Sequence, residues 1–145
     1  MKKILILILL TSATLIAEDK PFQKVWNGIL TKSVKEPVSV TTYWKKQQDG
    51  PTWLVKIAIK NGENPVQEIN IGEDEKCGVD IYIQPETNEL IYDEKSFITF
   101  EDKNKDSFND LLIVSDSGSV VTTKCLFLYD KKTKNFKFNK YLEEE

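Results

Sequence analysis

A chain of 145 residues with 23 acidic and 20 basic side chains, no histidine and a formal charge of −3 is long enough for one domain with a real core and too short for two. Its acidic balance argues against a protein that reads a nucleic-acid backbone. The missing histidine removes the usual general base, the Ser-His-Asp and Cys-His arrangements and the commonest zinc ligand. Carboxylate pairs remain for glycoside hydrolysis, but nothing in the sequence selects two among so many, and we expect no enzyme.

The first seventeen residues read as a secretory signal. Lys2 and Lys3 form a charged start, Ile4–Leu10 is an unbroken apolar run, and Ala17 closes a small-residue end before Glu18. The run is shorter than the ~20 residues of a membrane-spanning helix, so no membrane association is expected once it is removed. Removing 17 of the 145 residues leaves 128, and losing two lysines takes the charge from −3 to −5. The protein is then periplasmic or secreted. Cys77 and Cys125 would leave the reducing cytosol, and a disulfide between them is the simplest expectation.

Residues 18–36 are expected to hold a short N-terminal helix, with Asp19 as cap, Pro21 at its first turn, and Phe22, Val25, Trp26 and Ile29 at i, i+3, i+4, i+7. From Pro37 the period becomes two. Val38, Val40, Thr42 and Trp44 alternate with polar positions, Gln47–Pro51 breaks the run, and Trp53, Val55, Ile57 and Ile59 resume it, which predicts a hairpin with Trp44 in the core. Strands are further expected at Val66–Ile71, Val79–Ile83, Leu90–Tyr92, Phe97–Phe100, Leu111–Ser115, Val121–Tyr129 and Phe136–Leu142. The fold class is therefore all-β and mainly antiparallel: residues 37–142 form a single β-sandwich or twisted meander, and 143–145 a solvated acidic tail.

One cluster has spacing that carries chemistry. Asp102, Asn104, Asp106 and Asp110 recur in D-x-N-x-D-x-x-x-D, and Phe108 can add its carbonyl, a set of hard oxygens suited to Ca2+ in a structural role. It is not an EF-hand, because Ser107 stands at position six, Ile113 at position twelve, and strands flank it. The alternative is a polar turn in which Asp and Asn bond their own backbone.

In order along the chain come a Val66–Ile69 strand, the loop Phe100–Leu112, a Ser-Gly turn and Leu128–Phe136. On these residues the chain from about Trp53 to Leu142 resembles exported bacterial proteins with an FG-GAP-like calcium loop, including periplasmic inhibitors of I-type lysozyme and immunity proteins against lysozyme-like effectors of type IV secretion systems. The resemblance implies a β-rich domain that blocks a muramidase with an inserted loop. Here that loop would be Ser117, Gly118 and Ser119, followed by Val120 and Val121 where the motif has a tyrosine; its alternative is an ordinary hairpin turn. The functional expectation is a lysozyme inhibitor or immunity protein whose calcium loop positions this hairpin. The rival is a calcium-stabilised exported β module with a structural or adhesive role.

Overall fold

The computed structural model describes residues 22–72, 77–118 and 120–144. The expected signal and the helix-opening Asp19 and Pro21 lie outside them. Among the described residues nine strands form two antiparallel sheets packed as a sandwich. The first has the order β1 (Phe22–Ile29), β2 (Pro37–Lys46), β3 (Thr52–Asn61), β4 (Gln67–Asn70), with β5 (Tyr82–Ile83) also pairing on β3. The second runs β6 (Ile98–Glu101), β7 (Asp110–Ser117), β8 (Thr122–Asp130), β9 (Asn135–Glu144).

Period two explains β2 directly. Val38, Val40, Thr42 and Trp44 point inward and are buried, while their neighbours face solvent or lie half-buried. In β3 a bulge at Val55 changes the phase, because Tyr43 pairs with Lys56 but Trp44 with Leu54. Leu54 is therefore the buried residue, and Trp53 and Val55, expected to share the face of Ile57, do not. A single extra residue moves a strand's side chains to the opposite face.

Residues 22–29 are a strand and not the expected helix. Eight residues of β1 pair with β2, from Phe22 with Trp44 to Ile29 with Pro37, so sheet hydrogen bonds replace helical ones. The stripe divides: Trp26 is buried, whereas Val25 and Ile29 are exposed on the outer face. Gly28 faces inward, where Phe100 lies so close that a Cβ would sit 2.2 Å from its ring. The one helix among the described residues is α1 (Glu94–Phe97), a single turn that delivers Phe97 between Trp26 and Trp44, with ring centroids 5.5 and 5.7 Å away.

Two other expectations shrink or change. Of Val79–Ile83 only Tyr82 and Ile83 form a strand, and Leu90–Tyr92 contributes only a bridge from Leu90 to Ile83. Glu143 and Glu144 are not a free tail but the end of β9, where Glu144 binds Lys124 at 2.6 Å.

The two sheets are fastened at both sides by side-chain amides that imitate peptide groups. Gln67 of β4 donates to the Phe136 carbonyl at 2.7 Å and accepts its N–H at 2.8 Å. On the opposite side Asn109 donates from its amide to Ile29 O at 2.7 Å, and from its backbone to Leu30 O at 2.6 Å.

Candidate functional site

The acidic loop spans the turn between β6 and β7. Alternating Asp and Asn let each side chain fold back onto nearby N–H groups. Asp102 accepts from Asp106 N and Ser107 N, both at 3.0 Å; Asn104 accepts from Asp106 N at 3.1 Å, and Asp106 from Phe108 N at 2.9 Å. Lys105 and Ser107 take left-handed backbone, with φ of 61° and 76°. Asp102, Asn104 and Asp106 thus gather around three neighbouring N–H groups.

Asp110 does something else. It is fully buried, and its carboxylate accepts Lys103 N and Tyr129 N, each at 3.0 Å. Burial pushes its pKa above the usual carboxylate value; the N–H donors of Tyr129, Lys103 and Asn104 pull the other way, and the charge on Asp106 adds a smaller upward push. Phe108 stacks on Tyr129 at 5.3 Å, Tyr129 meets Phe136 at 5.3 Å, and its hydroxyl accepts from Asn61 of the first sheet at 3.2 Å. Lys131 completes the loop, donating to Asp106 O at 3.1 Å with its ammonium 4.4 Å from the Phe108 ring centre.

As a donor set, three carboxylates, an amide and a carbonyl suit a hard cation such as Ca2+. Among the described residues, however, no three His, Cys, Asp or Glu side chains converge as a metal group. Asp110 differs from the other expected ligands in that its carboxylate is held by backbone donors from both the loop and β8. Its partner Tyr129 lies 19 residues away, beyond the reach of any local spacing rule.

The Ser117–Gly118 hairpin lies at the other end of β7. β7 runs from Asp110 to Ser117 between them, about 23 Å over seven steps at ~3.3 Å each, so the acidic loop is remote from it. The disulfide is nearer. Cys77 and Cys125 are bonded and fully buried, with Cys125 opposite Ile113 of β7. Beside it Ser115 Oγ donates to Gly78 O, Asp80 N donates to Ser115 O at 2.7 Å, and Gly78 N donates to the Tyr141 hydroxyl at 2.9 Å. Ser115 is the bulged residue of β7, since Val114 pairs with Lys124 and Asp116 with Thr123.

Beyond this knot Asp116, Ser117 and Gly118 are exposed, Val120 is 77 % exposed, and Gly118 N donates to Val121 O at 3.0 Å. Ser119 lies outside the described residues. An open groove of about 420 Å³ between β1 and β6 is lined by Asn27–Ile29, Ile98–Glu101 and Asn109, with Glu101 its one carboxylate. It gathers no acid–base pair. No family model, characterised protein or solved structure matches the chain.

Proposed function

We propose that this chain is an exported, non-catalytic β-sandwich that binds and blocks a lysozyme-like muramidase through the tip of the β7–β8 hairpin. The observation that carries the reading is the contrast at that tip. Exposed Asp116, Ser117, Gly118 and Val120 follow directly on a fully buried disulfide knot. A stiff base with a small exposed tip suits insertion into a cleft, because little conformational freedom is lost on binding. The resemblance of the loop and hairpin residues to periplasmic lysozyme inhibitors supplies the partner class, and residues 1–17 the export signal.

In this reading the acidic loop takes a structural Ca2+ through Asp102, Asn104, Asp106 and the Phe108 carbonyl, while Asp110 anchors the loop to β8. The ion neutralises carboxylates that otherwise repel one another. Titration calorimetry of chelator-treated protein tests it directly; neither heat nor a Tm shift on adding calcium removes the ion from the reading.

The partner is tested by inhibition assays on C-, G- and I-type lysozymes. Inhibition of at least one class is expected, and Ser117→Asp, which places a charge at the tip, should abolish it with folding unchanged. Absence of inhibition and of pull-down across all three classes refutes the proposal.

A further inference from the structure

The outer face of the first sheet has a composition unlike the rest of the chain. The pairing register puts Tyr43 and Lys45 of β2, Trp53, Lys56 and Lys60 of β3, and Tyr82 of β5 on that face. The one carboxylate that shares it in these five strands is Glu68, which binds Lys56 at 3.0 Å. Three lysines against one glutamate give a locally basic surface on a protein of net charge −3. The aromatic groups lie among the lysines. Lys45, Trp53 and Tyr82 are direct cross-strand neighbours; the Trp53 and Tyr82 rings are 5.2 Å apart and tilted by 56°, and the Lys56 ammonium sits 4.6 Å from the Tyr43 ring centre.

Three features narrow the ligand. The aromatic rings are half-buried on an open sheet, so they offer flat apolar area with polar edges and no enclosed pocket. Lys45 is exposed and makes no ion pair among the described residues, which leaves its charge available to an anion. The tilt between Trp53 and Tyr82 suits consecutive pyranose rings, which are turned relative to one another, better than nucleobases, which stack in parallel on such platforms.

We infer that this face binds an acidic glycan, its sugar rings resting on Trp53, Tyr82 and Tyr43 and a carboxylate meeting Lys45, while Lys56 stays paired with Glu68 and braces the Tyr43 ring. The surface is separate from the β7–β8 hairpin and does not depend on the muramidase reading. Trp53 also provides the signal to follow, since Trp26 and Trp44 are buried in the core.

The experiment is affinity electrophoresis of the intact protein through gels containing alginate or neutral dextran, paired with tryptophan fluorescence titration by alginate oligomers, poly-glutamate and oligothymidylate. Alginate should retard the protein and change its fluorescence while dextran does neither. Trp53→Ala and Lys45→Glu should each weaken alginate binding about tenfold, the scale of one stacked ring or one desolvated ion contact, with unchanged circular dichroism. Lys45 lies outside the core, so its variant stands even if Trp53→Ala fails to fold. Equal mobility in the two gels overturns the proposal. So does poly-glutamate binding as tight as alginate with no loss in Trp53→Ala, and so does tighter binding of oligothymidylate.

Discussion

At the scale of single residues, two aspartates at adjacent ends of β7 and β8 have their pKa values shifted in opposite directions. Asp130 is drawn down to about 2 from 3.8, first by Lys137 at 2.6 Å and then by the Lys132 and Thr133 N–H groups. A lowered folded-state pKa stabilises the protein above the unfolded value, and that contribution is lost as pH falls from 3.8 to about 2. Asp110 is raised, so the folded state holds its proton more tightly, and its contribution rises as pH falls through the raised value towards 3.8. Carboxyl NMR titration should place the two on opposite sides of 3.8, and Asp130→Asn should flatten the acid limb of the stability curve. Asp110→Ala would leave the buried Tyr129 N–H without its acceptor and expose a second donor at Lys103, at about 1–3 kcal/mol per orphaned group. Urea unfolding should show a loss well above that of Asp102→Ala. Ser107 pays for a left-handed conformation at φ 76°; Ser107→Gly should raise stability by about 0.5–1 kcal/mol in the same assay, the strain relieved exceeding glycine's added unfolded-state entropy.

At the scale of elements, β2 was legible because its inner positions are all buried and its outer ones are not. β1 was not. As an edge strand it buries few residues, so its exposed Val25 and Ile29 can equally be placed on a helical stripe, and only pairing with β2 decides between the two. The bulges opposite Tyr43 and at Ser115 were equally hidden, since each depends on a register set by a partner strand. The same holds for the acidic loop. Its turn chemistry could be read from Asp102, Asn104 and Asp106, but the burial of Asp110 against Tyr129 requires the fold to bring β8 alongside. The close approach of β1 to β6 gives a sharp test: Gly28→Ala forces the Phe100 ring to move from a 2.2 Å contact, and overpacking of this kind costs about 1–3 kcal/mol, measurable as a lower Tm.

At the scale of the whole molecule, the sandwich is closed by few long-range devices. Gln67 and Asn109 clasp its two sides, and the disulfide ties residues 48 apart in sequence, worth about 4 kcal/mol on the chain-entropy model. Replacing both cysteines by serine should cost about 2–5 kcal/mol and raise amide exchange first around Gly78 and the β7–β8 tip, leaving the acidic loop protected. Both cysteines are fully buried, and this gives the protein a memory of its chemical history. A thiol reagent reaches a buried bond only when the structure around it opens, so the oxidation state present when the sheets came together is kept between such openings, and in mild reductant the bond is lost at the rate at which the segment around Gly78 opens.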